Sequence, residues 1–141
     1  MRICQCFILL LLLCGCEKYY VSIKREIINR ESLASTFVGS PDPLQADPPR
    51  GQELLLEWRL PRRGFSSDLT LVLDILYKDH SQETVCYPVT RKRGVVTFSL
   101  LGEKFQETKG FLTYKATIQT PDGEVLKEWK QQLWADLIVI D

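Results

Sequence analysis

From residue 51 onward the apolar residues fall on every second position, and only an extended chain places alternate residues on one face. Leu54, Leu56, Trp58 and Leu60 point one way, Leu55, Glu57 and Arg59 the other, and Pro61 ends the run. Leu69, Leu71, Leu73, Ile75 and Tyr77 alternate in the same manner with Asp68, Thr70, Val72, Asp74 and Leu76. Val85, Tyr87 and Val89 form a third run, which Pro88 confines to a sheet edge. Val96, Phe98 and Leu100 form a fourth. Leu112, Tyr114, Ala116 and Ile118 form a fifth, against Thr113, Lys115, Thr117 and Gln119. Thr120-Pro121-Asp122-Gly123-Glu124 has the turn chemistry of a bulged hairpin, so a sixth strand over 125–129 pairs back on 114–120. Short alternating strands without a strong helix indicate an all-β fold, a single antiparallel β-sandwich. Leu137, Ile138, Val139 and Ile140 are apolar without alternation. They are either a buried last strand or a strand held between this domain and something else.

The preceding segments read differently. Four of the seven prolines fall in 39–51, at a density that forbids a helix interior or a central strand. Residues 17–38 fit two periods. Tyr20, Ile23 and Ile27 suit a helical face, while Tyr20, Val21 and Ile23 also suit an extended segment, and the stretch is read as a stalk. Trp58 and Trp129 are expected in the core, since large aromatics dominate sandwich interiors. Trp134 falls out of phase with Trp129.

Glu53-Leu54-Leu55-Leu56-Glu57-Trp58-Arg59-Leu60-Pro61 resembles the second strand of fibronectin type III domains, where alternating aliphatics lead to a tryptophan and then a proline. Tyr114-Lys115-Ala116-Thr117-Ile118 resembles the tyrosine-corner strand of immunoglobulin-like folds, with Ala116 where antibody domains place a cysteine. The likeness covers about residues 50–135. The connection 102–110 is longer than the family's. The resemblance implies an architecture and binding through loops and sheet edges, and no activity.

At the start of the chain, Phe7-Ile8-Leu9-Leu10-Leu11-Leu12-Leu13-Cys14-Gly15-Cys16 resembles a bacterial lipoprotein signal peptide with its lipobox. Arg2 supplies the positive end, and the apolar segment is shorter than the ~20 residues that span a bilayer. The resemblance implies cleavage before Cys16, lipid on its sulfur and anchoring by several acyl chains. The alternatives are a simple secretory segment, which lacks its Ala-x-Ala site here, and an uncleaved anchor, which Glu17-Lys18 cuts short. Glu17, where aspartate would retain many lipoproteins in the inner membrane, favours the outer membrane of a Gram-negative bacterium. The organisation expected is a signal at 1–15, a lipidated N-terminus and stalk at 16–50, and the sandwich at 51–141.

Without the signal, roughly 125 of the 141 residues remain, enough for one domain. The 18 basic and 18 acidic side chains balance, and the signal removes only Arg2, so no global positive field exists to collect nucleic-acid phosphates. Of the five cysteines, Cys4, Cys6 and Cys14 leave with the signal and Cys16 carries lipid. Only Cys86 remains, so the core alone holds an exported domain that can bury about 65% of its unfolded surface.

Candidate site residues are few. Arg59, Arg62 and Arg63 form one basic cluster near a strand end and Arg91, Lys92 and Arg93 another. They are either solvated loop charges or, joined at one pole, a patch for anionic lipid, lipopolysaccharide or an acidic partner. His80 is alone, with no second ligand at metal spacing. Cys86 with His80 as base, or a carboxylate pair among Asp68, Asp74, Asp79, Glu83 and Asp136, are the enzymatic alternatives, and neither sits in a catalytic motif. A carrier of an apolar ligand would require a closed barrel with a cavity. The reading is a non-catalytic binding or assembly module without metal or cofactor. Its lipid holds it to the membrane, and an envelope protein is its expected partner.

Overall fold

The computed structural model describes residues 18–29, 38, 39, 41, 43, 47, 49–62 and 68–134. The signal, Cys16, Arg63, Asp136 and the apolar tail 137–140 lie outside the described residues. Among the described residues seven strands follow one another: β1 (Tyr20–Ile28), β2 (Gly51–Arg59), β3 (Thr70–Tyr77), β4 (Gln82–Pro88), β5 (Arg93–Leu101), β6 (Phe111–Gln119) and β7 (Val125–Lys130), with the short helix α1 (Gly102–Thr108) between β5 and β6. They form two antiparallel sheets packed as a sandwich, β1-β2-β5 against β4-β3-β6-β7.

The period of two produces the core. Leu54, Leu56, Trp58 and Leu60 of one sheet and Leu71, Leu73, Ile75 and Tyr77 of the other are buried in a single cluster with Leu100, Ala116 and Ile118. Each fully buried Leu or Ile contributes about 1.5–3 kcal/mol relative to exposure. Tyr77 stacks on Phe111 with ring centroids 6.0 Å apart, and Tyr114 stacks on Trp129 at 5.9 Å. Trp129 is thereby half-buried at the margin of the core, while Trp58 is inside it. β4 is an edge strand, as Pro88 requires.

The stalk reading of 17–38 is corrected for Tyr20–Ile28. This segment pairs with β2 along its whole length, from Tyr20 opposite Arg59 to Ile28 opposite Gly51. β2 would otherwise present a row of unpaired amides and carbonyls beside the core, and the extended form satisfies them while burying Val21 and Ile23 at 3% and 7% exposure. The sandwich therefore begins at Tyr20 and not at residue 51.

The phase of the fifth run is corrected at its start. Leu112 is 36% exposed, whereas Phe111 is 1% exposed. Leu76 pairs with Thr113 but Tyr77 pairs with Phe111, so Leu112 is the extra residue of a bulge that turns Phe111 inward. The hairpin at 120–124 closes as expected, with Thr120 N–H donating to the Glu124 carbonyl (2.9 Å) and Gly123 at φ 85°.

The connection 102–110 is α1. Phe105 packs on the core from it, and Lys109 ends it in the left-handed conformation (φ 64°). Gly110 then turns at φ +102°, in a space where a Cβ would stand 2.7 Å from Gln52 Oε1. The same oxygen accepts from the Phe111 N–H at 2.8 Å, tying the start of β2 to the start of β6 across the two sheets.

Strand directions sort the connections onto two ends. At the first stand Lys18 and Tyr19 before β1, residues 60–62 after β2, residues 68 and 69 before β3, residues 89–92 and the hairpin 120–124. At the other stand the start of β2, the turn 78–81, α1 and the chain leaving β7 toward Trp134.

Candidate functional site at the basic end

β2 and β5 finish side by side at the first end. Arg59 pairs across the ladder with Arg93 on one side and with Tyr20 on the other. Like charges directly opposite one another are unfavourable. Arg59 is partly relieved by Glu57, 3.7 Å away, and by the Tyr20 ring, whose centroid lies 5.6 Å from its guanidinium carbon.

The segment joining β4 to β5 is fastened from both sheets. Val89 is fully buried and its N–H donates to the Leu69 carbonyl at 3.0 Å. Leu60 N–H donates to the Lys92 carbonyl at 2.8 Å, extending the β2–β5 ladder beyond the strands. The buried Trp58 donates its Nε1–H to the Arg91 carbonyl at 3.0 Å. Its cross-strand partner must be Gly94, because a Cβ there would lie 2.1 Å from Trp58 Cζ2. A core tryptophan thus fixes the backbone that carries three consecutive cations.

The result is an open groove of about 560 Å3 lined by Lys18, Arg59, Arg62, Lys92 and Arg93, with Leu60 and Pro61 between them. Arg59 and Arg62 of one sequence cluster and Lys92 and Arg93 of the other line it together, while Arg63 lies outside the described residues. Arg91 contributes its carbonyl to Trp58 and does not line the groove. Lys18 is a member that sequence reasoning missed, since a stalk reading left the start of β1 unplaced. Among the described residues, all five charged groups that line it are cations. Asp122 and Glu124 stand at the same end on the β6–β7 hairpin of the other sheet, and Asp68 stands just before β3 on the connection that carries Arg62.

The other candidates do not converge. Cys86 is a free, exposed thiol on β4. His80 lies in the turn before β4, with Nδ1 3.2 Å from the Lys78 carbonyl oxygen. Cys86 stands four residues into β4 from Gln82, so at ~3.3 Å per residue it is about 13 Å or more from that turn. Asp79 accepts from Ser81 N–H (2.9 Å) and Oγ, bonds that hold its carboxyl below the usual range. Asp74 accepts from Thr84 Oγ1 at 2.7 Å and lies 3.7 Å from Lys115. Among the described residues no three His, Cys, Asp or Glu side chains gather as metal ligands, and no helix is long and apolar enough to cross a membrane.

At the opposite end Glu83 accepts from Tyr77 Oη and from Lys104 Nζ (2.6 Å), and Lys104 lies over the Tyr77 and Phe98 rings at 5.7 and 5.6 Å. Burial pushes the Glu83 carboxyl up, but the bonds from Lys104 and Tyr77 outweigh it and leave the group below its usual range. Burial and then the Glu83 carboxylate push the Tyr77 hydroxyl well above its ordinary value. Trp134 is half-buried under Lys115 Nζ, 5.0 Å from the ring centre. None of the protein-family models, curated proteins or solved structures compared with the chain matches it.

Proposed function

We propose that this chain is a lipid-anchored protein of the Gram-negative cell envelope, on the outer membrane in preference to the inner, that acts as a non-catalytic binding or assembly module. Acyl chains on Cys16 hold it to the membrane, and an envelope protein is its partner. The run from Phe7 to the Gly15-Cys16 pair supports the anchor. An immunoglobulin- or fibronectin-like sandwich is supported by the strand order. The first, second and fifth strands share one sheet and the third, sixth and seventh the other, as in immunoglobulin constant domains, with the fourth at the edge beside the third.

The observation that carries the module reading is the basic groove: five cations from three chain segments meet there, and the 91–92 backbone among them is held by the buried Trp58 and Leu60. Rigid presentation of charge serves recognition, since it lowers the ordering cost of binding. The fully buried leucines at 54, 56, 71 and 73 fill the interior, which favours a packed module over a ligand carrier. The carboxylates of Asp74, Asp79 and Glu83 are committed to internal partners, which favours a binding role over hydrolysis.

Metabolic labelling with a fatty acid tests the anchor: Cys16→Ala loses the label and the membrane fraction, and unchanged labelling refutes it. Affinity capture from detergent-solubilised envelopes tests the module. A partner retained by the wild type and lost on reversing Arg91, Lys92 and Arg93 to glutamate supports it, and capture indifferent to that reversal and to salt moves binding away from this end.

A further inference from the structure

We propose that the basic groove docks on the anionic phospholipid headgroups of the membrane that anchors the chain, so that the sandwich stands with its β2–β5 end down and its α1 end outward. The inference rests on the lipid-anchor reading. Lys18 lines the groove and stands two residues after Cys16. Two residues of extended chain span at most about 7 Å. The screening length at physiological ionic strength is about 8 Å, so an acylated Cys16 holds Lys18, the nearest of these cations, within the negative surface potential of the bilayer. A groove fed by a long tether could turn to any partner. This one is tethered beside the headgroup layer, and a protein partner of the same end competes with the headgroups for it.

Three features suit that occupant. The cations come from the start of the chain, the end of β2 and the start of β5, and so form a broad row and not a pocket for one small ion. Pro61, partly exposed beside the buried Leu60, places a short apolar group between them, at the depth where headgroups meet acyl chains. Arg59, the central member, has a weak internal acid in Glu57 at 3.7 Å, both side chains being about half exposed, and a phosphate can displace it. Each cation near such a surface favours docking by about fivefold.

The test uses the full lipidated protein, its acylation verified by mass, reconstituted into vesicles of phosphatidylcholine alone or with phosphatidylglycerol added. Cys86, near the basic end of β4, carries a fluorescent donor, and a lipid-headgroup dye accepts. In a second preparation Cys86→Ser is combined with Gln106→Cys on α1 to report the far end. Phosphatidylglycerol should raise energy transfer from position 86 and lower it from 106. About 1 M salt, where screening falls to about 3 Å, should abolish the change. Arg59→Glu with Lys92→Glu and Arg93→Glu should reduce the docked fraction at least tenfold, whereas Arg59→Lys with Arg93→Lys, which keeps the charge and guards against misfolding, should preserve it. Transfer that ignores lipid charge and the triple reversal overturns the docking. Release by inorganic phosphate at constant ionic strength overturns it in favour of a free phosphate ligand. An acylated chain that fails these tests sinks the docking alone, while a chain without acyl groups sinks the anchor and the docking with it.

Discussion

The two ends of the sandwich treat charge in opposite ways. At the α1 end, Lys104 and the Tyr77 hydroxyl converge on Glu83, so opposite charges and a buried hydroxyl satisfy one another and tie a helix to β3 and β4. At the other end Arg59 faces Arg93 across one ladder, and Lys92 and Arg62 stand beside them. One arrangement adds to stability. The other spends stability to hold like charges together, and the core supplies the difference through Trp58, whose indole clamps the carbonyl of Arg91. A chain that pairs its charges closely at one end and gathers like charges at the other has divided its structural and its recognition charges between them.

The strongest way to break the comparison is at the clamp. Trp58→Ala removes a buried ring, leaves a large void beside Gly94 and frees the 91–93 backbone, at a cost of about 3–5 kcal/mol. Urea unfolding followed by circular dichroism measures this. A loss below ~1 kcal/mol would mean that the ring is dispensable to the core and that the basic segment is held by its ladder bonds alone.

Next in size is the opposite end. The folded-state pKa of Glu83 lies below its unfolded value, so its contribution is complete above that unfolded value, near 4.5, and is lost as pH falls through the lowered folded value. Glu83→Gln should cost about 1 kcal/mol at pH 7, reduced from a fully buried charged bond because the pair is partly exposed. The difference between wild type and variant should shrink as pH falls below 4.5. A difference that is constant from pH 7 to 3 would show that the carboxylate charge contributes nothing and that only side-chain shape matters.

Sequence reasoning reached the strands whose alternation is unbroken. β2 and β3 declare themselves because every second residue is apolar and proline or a loop bounds them. β1 did not, because only Val21 and Ile23 of its inward face are buried and Ile27, exposed further along the strand, completes a false helical period. The β6 bulge was illegible for another reason: Phe111 and Leu112 are both apolar, and only the register against Tyr77 decides which turns inward. For the site, the two arginine-rich clusters were legible as charge. Their meeting was a consequence of strand order, and Lys18 could enter only once β1 was placed. Gly94 was the signal available and unused, since a glycine inside an alternating run marks a close approach, here of the Trp58 ring.

The smallest expected effect separates the two uses of charge most sharply. Arg93→Glu places a carboxylate directly opposite Arg59 on the outer face of the ladder, where the native pair repels. Exposed cross-strand pairs of opposite charge contribute about 0.2–1 kcal/mol, and the relieved repulsion adds in the same direction. The variant should therefore be slightly more stable than the wild type, by about 0.5 kcal/mol, and the gain should fade in high salt as screening removes both terms. Binding through the basic end should weaken at the same time. A residue whose replacement strengthens the fold and weakens association is retained for association. Chemical unfolding at low and high salt, set beside vesicle docking of the same protein, decides it: if Arg93→Glu destabilises the domain, Arg93 belongs to the structural charges and the contrast between the two ends fails at its central pair.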